Sequence, residues 1–197
     1  DLNYQTPGGL NIDQKENNPR DARLATRFTA SSQEQKAAIH QKVLSIGVSQ
    51  EFKYNDRVSS VLSFFGNGSN LKNPFITNYE FRDQKSFGAR NKNIFNFGGE
   101  KVKSKAVVGF EYQQTNSVFD VYDNNAGERG NNQFKETVDA LQTSFFGQVE
   151  LEFPSAIYLT TGLSYNQQVF NYQRIGGLNV KNETSGVPII PRVSILK

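Results

Sequence analysis

The sequence has no cysteine, no methionine, no tryptophan and a single histidine among its 197 residues. Without cysteine there is no disulfide scaffold, no thiolate metal centre and no thiol nucleophile. A lone His40 excludes a multi-histidine metal site. Long apolar runs are missing as well. The longest, Ala106 to Phe110, is interrupted by Gly109 and falls far short of the ~18 residues of a membrane-spanning helix. No secretory leader is read within the sequence, and with no methionine the expectation is a processed product or an internal segment whose targeting signal has been removed. Charged residues make up 21% and the net charge is +3, with bases scattered among acids. The clustered phosphate-binding footprint of a nucleic-acid protein is therefore absent. Hydrophobic residues reach 36%, below the roughly 45–50% of a typical globular domain.

What is present is 16 Phe and 8 Tyr in a background of Asn, Gln, Ser, Thr and Gly. A chain that is polar on average yet rich in Phe must gather its apolar groups on one surface. Residues 1–41 stand apart. Tyr4 to Leu10 carries a Pro-Gly-Gly turn, Asn17 to Arg20 a second break. Gln33 to Lys42 reads as a short helix with Ser31 or Ser32 as its N-cap.

From Lys42 onward the pattern has period two, the mark of strands with unlike faces. Leu44, Ile46, Val48 and Phe52 oppose Ser45, Gly47, Ser49 and Glu51. The return strand from Val58 is blurred by Val61 and Phe65. Phe87, Ala89, Phe95 and Phe97 oppose Arg90 and Lys92. Ala106, Val108, Phe110 and Tyr112 oppose Val107, Gly109 and Glu111. Leu141, Phe145, Val149, Leu151 and Phe153 oppose Gln142, Ser144, Gln148, Glu150 and Glu152, with Phe146 the exception. Ile157, Leu159, Leu163 and Tyr165 alternate with Tyr158, Thr160, Gly162 and Ser164, and a last strand runs from Val187 to Lys197.

Short turns at Asn55, Gly98 and Pro154 alternate with long polar connections near Ser69, Gln114–Thr137 and Asn166–Gly186. Loops beyond ~12–15 residues are uncommon in compact domains, and three at one end of a sheet match the short-turn, long-loop asymmetry of transmembrane barrels. The fold class expected is all-β: an antiparallel up-and-down transmembrane β-barrel. Leu44, Ile46, Val48, Phe110, Phe145, Val149, Leu151, Ile157, Leu159 and Leu163 are expected to face lipid. Seven strands are readable. Bacterial single-chain barrels use even numbers, so the chain reads as part of a larger barrel, with 1–41 an extracellular loop bearing a short helix and 42–197 barrel strands with long extracellular loops. A soluble antiparallel sandwich is the alternative, with shorter strands and loops not sorted by length.

Tyr4, Thr6, Pro7, Gly8, Gly9, Leu10, Gln14, Asn18, Pro19, Arg20, Ala22 and Arg23 resemble a loop motif of TonB-dependent outer-membrane receptors, particularly ferric-siderophore and ferric-citrate-like members. Thr77, Asn78, Tyr79, Glu80, Arg82, Gly88 and Arg90, and Pro191 to Leu196, are similar to further barrel segments of that family. The resemblance implies a 22-stranded barrel in the bacterial outer membrane, closed by a plug. Such a barrel imports an iron chelate with energy delivered through TonB. Its partners would be the chelate, the plug, TonB and the lipid bilayer, with no nucleic acid. The plug and the TonB-contacting box lie outside this sequence.

Enzyme motifs are absent: no Gly-x-Ser-x-Gly, His-Glu-x-x-His or phosphate loop occurs, and no cofactor is expected. Asp120, Asp123 and Glu128 offer oxygen ligands in an arrangement that does not match an EF-hand. Candidate chelate contacts are Arg90, Lys92 and Arg192 on polar strand faces, and Arg82, Arg129, Arg174, Tyr79, Tyr122 and Tyr172 in the expected loops. Arginine matches carboxylates bidentately, whereas plain lumen solvation and charge pairing is the structural alternative. The second functional class is a soluble secreted β-domain that binds glycan or protein through its long loops.

Overall fold

The computed structural model describes residues 1–99, 101–175 and 180–197, with the side chains of 180–188 outside that description. The elements are β1 (Leu2–Gln5), α1 (Ile12–Asn17), β2 (Ala38–Lys53), β3 (Val58–Pro74), β4 (Asn78–Gly98), β5 (Lys103–Asn125), β6 (Glu128–Phe153), β7 (Ile157–Ile175) and β8 (Val180–Leu196). All eight strands form one antiparallel sheet in sequence order. Each strand pairs with its chain neighbour, which is the up-and-down topology the alternation predicts. The seven expected strands are β2 to β8; the short β1, paired along Ala38–Gln41, is the eighth.

The expected long loops are not loops. β4, β5 and β6 run 21, 23 and 26 residues, about twice the ~9–11 needed to cross a bilayer. The stretch Gln114–Thr137 is strand on both sides of a two-residue turn at Ala126 and Gly127, both with positive φ (53° and 87°). That is the geometry of a type I′ hairpin. Asn166–Gly186 is likewise paired across β7 and β8 where it is described. Beyond the amphipathic part apolar and polar side chains occur on both faces of these strands, so period two carries no hydrophobic contrast and the sequence reads as loop. The expected short turns do form; Asn55 Oδ1 accepts from the Arg57 and Val58 amides at 2.8 and 2.9 Å.

The register sorts the side chains as expected. Phe110 sits opposite Phe145, their rings 4.9 Å apart. Leu151 sits opposite Leu159 and Leu159 opposite Ile195. This apolar face is open. Leu44 and Ile46 are each 76% exposed, Phe145 53% and Ile195 72%. Among the described residues no large side chain is fully buried, so the sheet has no second layer and a sandwich is excluded. The band runs from Leu141 to Phe153 on β6 and from Ile157 to Tyr165 on β7. At ~3.3 Å per residue and a ~40° tilt it is roughly 20–30 Å tall, the height of a bilayer's apolar zone.

Val61, Phe65 and Phe146, which blur the alternation, lie on the polar face. Phe65 covers Gly88 and Phe146 covers Gly109. A Cβ built at either glycine would stand 2.5 or 2.3 Å from the ring. The aromatic groups therefore fill space that the neighbouring glycines leave.

The helix expected over 33–42 does not form. Ser31 does cap a turn: its Oγ accepts from the Glu34 amide at 3.1 Å, and Glu34 Oε2 accepts from the Ser31 amide and hydroxyl at 2.8 and 2.9 Å. Those two donors hold the Glu34 carboxyl below its ordinary value. The chain then passes through Lys36 at φ 49° and is drawn into β2 pairing with β1. The helix lies instead at Ile12–Asn17, where Asn11 and Gln14 form a capping box. Gln14 Nε2 also donates to Asp21 Oδ2 (3.0 Å) and to the Ala22 carbonyl (3.2 Å). The Gln14 amide, and after it the Ala22 N–H, hold the Asp21 carboxyl below its usual range.

Candidate functional site

The polar face of the sheet carries the candidate site. Its middle is a horizontal row, Ser49–Ser63–Arg90–Glu111–Ser144–Asn166, set by the register of five neighbouring strand pairs. Ser49 and Ser63 hydroxyls meet at 2.7 Å, Arg90 pairs with Glu111, and the Ser144 hydroxyl donates to Asn166 Oδ1 at 2.6 Å. Lys92, two positions along β4, makes no ion pair among the described residues. It sits opposite Gly109, the glycine that the Phe146 ring covers. Arg192 pairs in register with Gly162 and shares this face.

Toward the short turns the same face holds two ion pairs, Lys105–Glu150 at 3.2 Å and Lys103–Glu152 at 3.1 Å. At the opposite end a second row, Arg82–Phe119–Glu136–Arg174, spans β4 to β7. Arg82 bonds Glu80 at 2.6 Å and lies 4.7 Å over the Phe119 ring. Arg174 Nε donates to Glu136 at 2.6 Å, the Tyr172 hydroxyl donates to the same oxygen, and the guanidinium lies 4.6 Å over Phe134. Both guanidinium groups thus have their edges on carboxylates and a face on a ring. These partners lie two to 38 residues away in sequence, and the strand reading of this region is what would have found them.

The nine candidate contacts do not form one site. Arg82, Arg90, Lys92, Arg174, Arg192 and Tyr172 share the polar face. Tyr79, Tyr122 and Arg129 gather on the opposite one, above the apolar band. There Tyr79 stacks on Phe81 at 4.8 Å, Phe81 meets Tyr122 edge-on at 5.9 Å, and the Arg129 guanidinium lies about 5 Å from both the Phe81 and Tyr122 rings (5.1 and 5.0 Å). Asp120, considered for a cation, pairs with Lys135 at 3.3 Å. Among the described residues no group of three or more ligating side chains comes together.

No family model matches the sequence, and no curated protein matches it significantly. Solved structures do. The crystal structure of BauA, the ferric preacinetobactin receptor from Acinetobacter baumannii, superposes with a TM-score of 0.69 at 13% identity over 81% of this chain. The ferric citrate transporter FecA in its unliganded form superposes with a TM-score of 0.71 at 11% identity over 98% of it. The chain covers 28% and 29% of those proteins. It therefore shares the fold of part of those two proteins and spans less than a third of the length of either.

Proposed function

We propose that this chain is part of an outer-membrane barrel that takes up an iron chelate of the siderophore or ferric citrate type. The apolar band faces lipid and the charge-laced face lines the lumen. A plug and TonB, acting through parts of the protein outside this chain, supply closure and energy. The observation that carries the reading is the single two-faced sheet. One face exposes an uncovered apolar band of bilayer height, the other a continuous polar lattice, and a ferric preacinetobactin receptor and a ferric citrate transporter share the fold. Arg90, Lys92, Arg192, Arg82, Arg174 and Tyr172 are the chelate contacts this reading offers. Tyr79, Tyr122 and Arg129 sit outside such a lumen.

The test uses the full-length protein. It should fractionate with the outer membrane, migrate faster unheated than boiled in detergent gels, and be required for growth on at least one ferric chelate as sole iron source. Recovery as a detergent-free soluble monomer would end the proposal.

A further inference from the structure

The apolar band is not apolar throughout. On β5 (Ala106 to Tyr112), β6 (Leu141 to Phe153) and β7 (Ile157 to Tyr165) its side chains are aliphatic or aromatic apart from Gly147, Thr143 and Thr161. A threonine hydroxyl can bond backbone close by. On β2 to β4 the same face carries three carboxamides and a serine: Gln50 opposite Leu62, Ser60 opposite Asn93, and Asn91 opposite Phe110. They lie inside the band and not at its rim. On this face of β4, Phe87 and Ala89 precede Asn91, and Phe95 and Phe97 follow Asn93. On β2, Gln50 sits between Val48 and Phe52.

These groups satisfy one another only in part. Asn93 Nδ2 donates to Asn91 Oδ1 at 2.7 Å, and Asn91 Nδ2 donates to Ser60 Oγ at 3.0 Å. Gln50 Nε2 donates to the Glu51 carbonyl at 2.8 Å. Ser60 is buried, Asn91 and Asn93 are half-buried, and Gln50 is exposed. A carboxamide has two donor hydrogens and an oxygen with two lone pairs. One hydrogen of Asn91, the oxygen of Asn93 and the oxygen of Gln50 therefore have no partner among the described residues. Lipid tails offer neither donor nor acceptor, and an unpaired polar group in hydrocarbon is costly. Spare donors and spare acceptors lie side by side, so an identical patch turned about a two-fold satisfies both. The relief matches itself as well. Ala89, Asn91 and Asn93 are small side chains between Phe87 and Phe95, both exposed, so a two-fold can seat a ring of one copy over the depression of the other. We infer that β2 to β4 form an in-membrane interface with a second copy of this barrel, in which Asn91 of each copy donates to Asn93 of the other. The inference rests on the proposed membrane orientation.

The test uses the full-length protein in phosphatidylcholine vesicles over a range of protein-to-lipid ratios, with the dimer fraction read by single-molecule photobleaching. Hydrogen bonds between membrane segments contribute about threefold each. N91L/N93L removes the two reciprocal ones and leaves a greasier wall, so it should raise the dimer dissociation constant about tenfold while gel heat-modifiability is kept. T143L/T161L, on the same face of β6 and β7, should dimerise as the parent does. A second measurement locates the contact. This chain has no cysteine, so a thiol at position 50 reports on this wall. In native outer membranes a bifunctional maleimide should join two copies of Q50C, whereas L159C stays single. A parent that inserts but is monomeric at every ratio, an N91L/N93L variant that dimerises as tightly as the parent, or a Gln50→Cys crosslink to a different protein or to none overturns the interface. A parent that does not insert, seen as loss of heat-modifiability and recovery without detergent, overturns the membrane reading instead.

Discussion

The Asn124 side-chain amide donates to the Gln35 carbonyl at 2.8 Å across 89 positions of sequence, and its second hydrogen goes to the Phe75 carbonyl at 2.6 Å. Its oxygen accepts from the Gly127 amide at 2.8 Å. One buried carboxamide thus fastens the N-terminal segment, the β3–β4 turn and the β5–β6 turn to each other. The Gln35 side chain adds a contact by accepting from the Ala126 amide at 3.1 Å.

Asn124→Ala should therefore loosen the segment before β2 without unfolding the sheet. It orphans two carbonyls and one amide, a cost of about 2–3 kcal/mol. Limited proteolysis of the full-length protein should cut within residues 1–37 faster, while gel heat-modifiability is kept. Asn124→Asp is a sharper version, because it keeps the shape but aims a carboxylate at two carbonyls. Wild-type protection in both variants would show that the hub holds nothing.

At Gly88 an added methyl would stand 2.5 Å from the Phe65 ring and 2.6 Å from the Tyr112 carbonyl. Gly88→Ala should destabilise by about 1–3 kcal/mol through overpacking, read as a lower urea midpoint of the folded barrel. Gly147→Ala is the control, since its nearest neighbour is Val108 Cγ1 at 3.8 Å. Equal midpoints for the two variants would contradict the ring-over-glycine packing.

These two sites mark where the sequence is readable and where it is not. The band is legible because one face must be apolar and the other wet, so Leu44, Phe110, Phe145 and Leu159 fall on one side at period two. Phe65 and Phe146 break the pattern for a reason that needs the partner strand: each fills the space over a glycine on its neighbour. The upper halves of β4 to β7 lack contrast between faces, so the cross-strand Glu136–Arg174 pair and the reach of Arg82 over Phe119 are hidden behind a reading as loop. The Asn11–Gln14 capping box is local and readable. The Ser31–Glu34 box is equally readable but misleading, because Lys36 ends that turn and β pairing takes over.

Val149 lies on the apolar band, and Gln148, its chain neighbour, on the polar face. With lipid on one side, Val149→Arg should cost about 2–4 kcal/mol in bilayers, measured by folding of the full-length protein into vesicles. Gln148→Arg, beside Glu150, should cost little. Comparable costs for both would place water on both faces.

Glu34 gives a pH test outside the membrane. Its carboxyl is held below its ordinary value of 4.5 by the Ser31 amide and hydroxyl. A lowered folded-state pKa contributes stability that is present above the unfolded value and lost as pH falls through the folded one. The turn at Ser31–Lys36 should hold at neutral pH and loosen as the pH falls below the ordinary carboxyl value of 4.5 and through the lowered one, seen as faster hydrogen exchange at Gln35. Glu34→Gln should flatten that dependence; an unchanged acid profile in the variant would remove Glu34 as its cause.

Arg174 separates a direct chelate contact from a charge partner. Its guanidinium is bonded to Glu136 and stacked on Phe134. Replacing Arg174 by Gln leaves the Glu136 charge bare in the proposed lumen. An anionic chelate should then bind about fivefold more weakly, the ~1 kcal/mol that unit charges a few ångströms apart exchange in water. If Arg174 acts only by neutralising Glu136, Glu136→Gln with Arg174→Gln restores binding in the full-length protein. If Arg174 touches the chelate, the double variant stays as weak as the single one, and the ion-pair account of this row fails.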